Sequence, residues 1–196
     1  MSIKEGLLVA LWLSLVICGS ALGLNYEKTP EQTKTAADIF PPKTCLKLNK
    51  EGFTLVFFAH PKCPCTQASL HNLAGFLSEA KHVKAYACFM APANFQGDWL
   101  EGANFNSAQN LHGLQLLVDS EQHEIRAFGA SNSGETFLFD SNGRLRFHGG
   151  ITAARGHEGD NDGLEALYEI TGGRKDKAEY AVYGCALQNN ELGRNR

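Results

Sequence analysis

Hydrophobic and polar positions divide the chain into an apolar leader, a polar stretch and a long region in which two periodicities alternate. Residues 6–24 are almost unbroken apolar sequence behind Lys4. That is about the length that crosses a bilayer, and it also fits a secretory signal. Residues 25–42 are polar and end in Phe40-Pro41-Pro42, which stops any helix. One short helix over 30–39 is the most that this stretch predicts. Residues 54–59 form a short, continuous run of β formers, which predicts a strand covered on both faces. Leu70, Leu73, Phe76, Leu77 and Ala80 recur at helical spacing and predict a helix over 66–80. A second apolar run over 83–89 completes a βαβ unit, whose crossover should be right-handed.

Beyond it the pattern loosens. Phe95, Trp99, Leu100 and Phe105 are scattered among Gly and Asn and predict one or two irregular helical turns. A third strand is expected over 115–118 and a short helix over 121–128, closing at Gly129. Residues 136–139 and 144–148 flank Asp140-Ser141-Asn142-Gly143, which predicts a hairpin turned on Asn-Gly. A last helix is expected over 162–171, ended by Gly172-Gly173. The divisions that follow are a signal peptide or anchor over 1–24, a linker over 25–43, a folded domain over 44–171 and a polar tail over 172–196.

At 196 residues the chain has room for one ordinary domain plus an anchor or tail. A net charge of −3 with no Lys/Arg stripe argues against a nucleic-acid partner. Ala21-Leu22-Gly23 supplies the small residues of a cleavage site, so the leader is either cut after Gly23 or kept as a membrane anchor over 6–24. A lipid attachment at Cys18 is disfavoured by the bulky Ile17 before it. Either main reading exports Asn25 onward, to the periplasm or another extracytoplasmic space, anchored or secreted. Disulfides persist there. Apart from Cys18 the chain has Cys45, Cys63, Cys65, Cys88 and Cys185, an odd number, so at least one is free, liganded or intermolecular.

The candidate chemistry lies in His60-Pro-Lys-Cys-Pro-Cys-Thr66, between the first strand and the first helix of the domain. A helix N-terminus favours a thiolate over a thiol, and Lys62 adds a positive charge next door. Cys63 and Cys65 are the expected redox pair, with Cys63 the attacker because it comes earlier at the helix mouth. His60 is positioned as a proton relay or ligand. Cys88, in a strand, reads as a core thiol. Cys45 and Cys185 can bridge each other, or Cys185 can reach the pair as a resolving thiol or third ligand. The loop 149–161 is too polar and Gly-rich for a core. It is either a long surface loop or one that folds back toward the cysteines, with Arg155 and Glu158 able to pair.

The element order, βαβ, an insertion with an extra strand, then ββα, resembles the α/β thioredoxin-like fold of the exported TlpA-like type, over residues 44–171. The stretches FFAHPKCPCTQASL, LLVDSEQHEIRAFGASNSGETFLFDSNGRLRFHGGITAARGHEGDN and VYGCAL are similar to the RedB-like group of bacterial proteins. The resemblance implies thiol–disulfide oxidoreductase activity on protein thiols or disulfides, with no cofactor. The chain departs from the pattern twice. Lys62 stands where the first cysteine of Cys-x-x-Cys falls, leaving Cys-x-Cys around Pro64, a small ring whose strain implies an oxidising or isomerase-like couple. The cis-proline before the hairpin is also missing, and Gly134 or Glu135 occupies its substrate-binding position. The second loss raises the prospect of metal capture. An alternative is therefore a copper carrier resembling the Sco-type chaperones, with His60, Cys63, Cys65, His157 and Cys185 as donors to Cu(I). A non-catalytic binding module is the third reading.

Overall fold

The computed structural model describes residues 3–92, 95 and 97–187. Its elements are α1 (Ile3–Lys28), β1 (Phe53–Ala59), α2 (Thr66–Glu79), β2 (Val83–Met90), a 3-10 turn (Gly97–Trp99), α3 (Ala103–Gln109), β3 (Leu114–Asp119), α4 (His123–Phe128), β4 (Thr136–Phe139), β5 (Leu145–Gly149), α5 (Asp162–Thr171) and β6 (Ala178–Glu179). The strands form one sheet in the order β3-β2-β1-β4-β5-β6. β1 runs parallel to β2 and antiparallel to β4, and β4 and β5 form the hairpin. This is a thioredoxin-like fold, with α3, β3 and α4 as the insertion between its two halves.

β1 is at the centre because both its faces are apolar. Leu55, Phe57 and Ala59 face a core built with Leu70, Leu73 and Phe76 of α2 and Leu167 and Ile170 of α5. Val56 and Phe58 face the opposite core, with Ile125, Phe128, Phe137 and Phe139. Two-sided burial is the condition under which a parallel strand reads as a continuous apolar run rather than an alternating one. Each face of the sheet contributes to a separate core, so the strand carrying the cysteine loop is clamped from both sides.

The polar segments before and after the domain are part of its packing. No helix forms over 30–39; the chain there is extended, with single bridges at Glu31–Val182 and Ile39–Arg144. Pro30 and the pair Pro41-Pro42 leave too short a span for a stable helix, and the backbone finds sheet-like partners instead. The Ala37 N–H donates to Phe128 O and the Phe40 N–H to Gly143 O. The Phe40 ring sits edge-on against Phe128 and Phe139. The chain after α5 adds β6 alongside β5 and then returns across the molecule to an Asn132–Ala186 bridge. The expected tail from 188 to 196 lies outside the described residues.

The hairpin turn differs in detail from the Asn-Gly expectation. Gly143 N–H donates to Asp140 O at 2.9 Å, and of the four turn residues only Gly143 has positive φ, at 80°. A two-residue type I′ turn needs positive φ at both central residues. Here the loop closes on a left-handed glycine, with Asp140 N–H donating to Arg144 O at 3.0 Å, and a separate register shift between Leu138 and Phe139 leaves Arg146 as an extra residue in β5.

Candidate active site

α2 begins where β1 ends, so residues 60–65 form the short loop at the mouth of the helix, with Cys65 at the N-cap. The loop is tied down from three sides. Cys63 N–H donates to His60 O at 3.1 Å, and Thr66 N–H to Cys63 O at 3.1 Å. Asn104 of α3 donates from its amide nitrogen to Pro61 O at 2.9 Å and Cys63 O at 2.8 Å. Ser133, from the segment before β4, accepts from the His60 N–H at 2.9 Å and shares a 2.8 Å hydrogen bond with the Thr66 hydroxyl.

Three sulfurs meet there. The Cys63 sulfur faces the Cys185 thiol and backbone N–H, the Cys65 N–H and the Thr66 hydroxyl as donors. Burial by itself raises the Cys63 pKa, but these donors outweigh it and bring the thiol below its usual value. Cys65 moves the other way, raised first by burial and then by the charge and thiol of Cys63, with Arg155 opposing. Cys185 is pushed up to about 12, by burial and then by Cys63. Of the three sulfurs, the arrangement therefore favours negative charge on Cys63, while Cys65 and Cys185 are held toward the thiol form.

Exposure reverses the order expected of the pair. Cys63 is 1 % exposed and Cys65 9 %, so the residue earlier at the helix mouth is the more covered. The reason is the Asn104 and Cys185 cover, neither of which is near in sequence. The case for Cys63 as attacker rests on its thiolate character, not on access.

The other expected site residues fall out as follows. Lys62 is exposed and its ammonium lies 5.0 Å above the Trp99 ring. His60 packs edge-on against the same ring, and its Nδ1 accepts from the Lys62 N–H at 3.1 Å. Its pKa is lowered by burial and then by Lys62. Glu135 is fully buried: its carboxylate accepts from the Ser131 and Asn132 N–H groups at 2.8 and 3.0 Å and pairs with His148 at 2.7 Å. Those partners turn it away from any substrate. Gly134, with φ 91°, donates its N–H to Phe58 O at 2.8 Å and so continues the pairing with β1.

The positive charge beside the sulfurs belongs to Arg155. Its side chain is 7 % exposed and pairs with Glu31, not with Glu158, which lies 3.7 Å from His71. It donates to Gly184 O at 2.7 Å, stacks on Tyr26 at 4.8 Å and stands against Cys65. Its Nε is buried and has no hydrogen-bond partner among the described residues. The Gly-rich loop that carries it was visible in the sequence, but nothing there marked Arg155 above its neighbours.

Cys45 and Cys185 lie in different places. Cys45 is exposed beside Glu124, and burial followed by that carboxylate lifts its thiol to about 11. Cys88 is fully buried in β2, and burial raises its pKa well above the usual value. Among the described residues no three His, Cys, Asp or Glu side chains are arranged to hold a metal ion. Of the donors considered for copper, the three sulfurs gather, while His60 Nδ1 is engaged with Lys62 and His157 is exposed with Nδ1 on Arg155 O at 2.9 Å. The five-donor set expected for copper is thus not assembled as a whole, and no step below runs through a metal.

No family model matches the chain, and no curated protein matches it. Among solved structures, a hypothetical protein from Sinorhizobium meliloti is 21 % identical, over 82 % of this chain and 96 % of that one, with a TM-score of 0.59. An uncharacterized conserved protein from Geobacillus kaustophilus is 18 % identical, over 83 % and 93 %, with a TM-score of 0.60. A secreted disulfide oxidoreductase from Mycobacterium tuberculosis is 14 % identical, over 50 % and 68 %, with a TM-score of 0.41. The first two are likenesses of fold.

Proposed function

We propose that the protein is an exported thiol–disulfide oxidoreductase, grouped with the RedB-like proteins, in which Cys63 of the Cys-x-Cys sequence is the attacking thiolate. The observation that carries this reading is the donor shell around the Cys63 sulfur, which favours the thiolate at a strand-to-helix junction. The thiolate attacks one sulfur of a substrate disulfide, forming a mixed disulfide and releasing the other substrate sulfur as a thiolate. A second protein thiol then displaces the substrate, and the substrate gains the two electrons that the protein cysteines lose. The first leaving thiolate takes the proton of the second protein thiol.

The partners are protein thiols or disulfides. α1 is long and apolar enough to cross a membrane and has no residue buried against the domain. Its C-terminal end carries Tyr26 and Glu27, which contact Arg155 through the ring stack and an Arg155 N–H to Glu27 O bond of 3.1 Å. An α1 held in the bilayer puts the sulfurs near the membrane surface, where exported substrates emerge.

The test is capture of mixed disulfides by full-length variants. The double variant Cys65→Ser/Cys185→Ser, which leaves no neighbouring thiol to resolve the mixed disulfide, captures a disulfide substrate, and Cys63→Ser does not. Capture undiminished in Cys63→Ser, or no capture by any form of the protein, overturns the proposal.

A further inference from the structure

Cys185 comes from the far end of the chain, yet its place is fixed by several independent contacts. Ser133 N–H donates to Cys185 O at 2.8 Å, and Leu187 N–H donates to Ser131 O at 2.8 Å. Gly184 packs so closely on Ser133 that a β-carbon there would lie 1.7 Å from Ser133 O, and Gly184 O accepts from Arg155. Ser133 is the residue that also holds His60 N–H and Thr66. One seryl-glycyl contact thus places the Cys185 thiol and N–H against the Cys63 sulfur.

Arg155 adds a second, separate observation. It is a buried cation aimed at Cys65, with an Nε–H that meets no acceptor among the described residues. A thiolate at Cys65 would supply the missing acceptor, but a thiolate already on Cys63 opposes a second one beside it. Burial still opposes ionisation of Cys65, but the part that comes from Cys63 is removed once the Cys63 sulfur is tied up in a disulfide. If that disulfide were Cys63–Cys65, Arg155 would keep Glu31 as its anionic partner and its Nε–H would still meet no acceptor among the described residues. If it were Cys63–Cys185, Cys65 would be free to ionise against the guanidinium.

We propose that Cys185 is the resolving thiol, so that oxidation of the protein closes a Cys63–Cys185 disulfide and leaves Cys65 as a thiolate held by Arg155. The inference rests on the thiol-exchange reading above. In the step, the Cys185 thiol gives its proton to the first leaving thiolate of the substrate. The Cys185 sulfur then attacks the Cys63 sulfur of the mixed disulfide, and the second substrate sulfur departs with the bond's electron pair. Cys63 and Cys185 are oxidised by two electrons and the substrate disulfide is reduced to two thiols, the second sulfur taking its proton from Cys65, which is left as the thiolate. The three-residue ring around Pro64 need never form, so the strain expected of Cys-x-Cys does not set the potential. Arg155 acts as a positioning residue for Cys65 and for the Gly184 turn.

The experiment uses the full-length protein in detergent micelles, oxidised with glutathione disulfide, alkylated, digested with trypsin and mapped by mass spectrometry. Trypsin leaves Cys63 and Cys65 in one peptide and Cys185 in another. The expected result is a cross-link between the two peptides with Cys65 alkylated. An internal disulfide in the first peptide with Cys185 alkylated overturns the inference and leaves the oxidoreductase reading intact. Cys63 remaining wholly alkylated, with no disulfide to any partner, overturns both. In Cys185→Ser, the glutathione mixed disulfide on Cys63 should persist at least 10-fold longer than in the wild type; an unchanged lifetime counts against the proposal.

Discussion

At the scale of single residues, the site is decided by who donates to Cys63. Lys62 was the cation expected to favour its thiolate, but its ammonium is engaged over Trp99. Lys62→Ala should therefore leave the pH midpoint of Cys63 alkylation nearly unchanged. Cys185→Ala should raise it by about one unit, since a hydrogen bond to a charged group contributes about 1.5–3 kcal/mol and one unit corresponds to about 1.4 kcal/mol. Iodoacetamide rates as a function of pH read both; equal midpoints in the wild type and Cys185→Ala would show that the third thiol is not a donor. The buried pair Glu135–His148 has a different task, joining β5 to the segment that carries Ser133. Burial lowers the His148 pKa, but the Glu135 and Glu179 carboxylates outweigh it and raise the group above its usual value. A raised histidine stabilises the fold fully below its ordinary pKa, about 6.5, and the contribution fades as pH rises through the raised value. His148→Gln should cost about 1.5–3 kcal/mol at the acidic end of that window, because it removes the charged donor from Glu135 Oε1 while the backbone donors to the other oxygen remain. The difference in thermal midpoint between variant and wild type should narrow as pH rises.

At the scale of elements, most of what the hydrophobic pattern predicted has a partner in the sheet, and the differences are instructive. The helix over 66–80 is α2 and the run over 83–89 is β2, each shifted by a residue at one end. Periodicity finds such elements because one face must be buried wherever they pack. The segments 30–39 and 174–187 carry no such signal. Their order comes from the short β5–β6 pairing and from the bridges Glu31–Val182, Ile39–Arg144 and Asn132–Ala186, contacts between stretches far apart in the chain. Gly184→Ala tests how much that order matters. Its added methyl meets backbone, which cannot move aside like a side-chain end, so the turn should leave Ser133 and take Cys185 with it. The expected outcome is a Cys63 alkylation midpoint raised about as far as in Cys185→Ala, with the far-ultraviolet circular dichroism of the sheet and helices unchanged.

At the scale of the whole molecule, a six-stranded sheet between two cores holds the sulfurs, and an apolar helix extends from the side of Arg155. α1 exposes Leu7, Leu8, Leu11, Trp12, Leu15 and Ile17 with nothing of the domain over them. A helix apolar on all sides and unburied in protein is compatible with a signal sequence or a membrane anchor. Leu13→Arg, near the middle of that helix, should weaken insertion by about 2.5–3.5 kcal/mol. Carbonate extraction of membranes reads this directly: the wild type should stay with the pellet and the variant should move to the supernatant. A variant retained as fully as the wild type would show that α1 does not hold the protein in the bilayer.

The sequence by itself determined the strands, the long helices, the thioredoxin-like order and the location of Cys63 and Cys65, because each follows from local periodicity or from adjacency in the chain. It did not determine which thiol is favoured as the thiolate, which is covered, or which cation stands beside them. Those depend on Asn104, Ser133, Arg155 and Cys185, brought in from four separate segments. Hydrogen bonds and charges act across a few ångströms whatever the separation along the chain, so only the tertiary structure could assemble them.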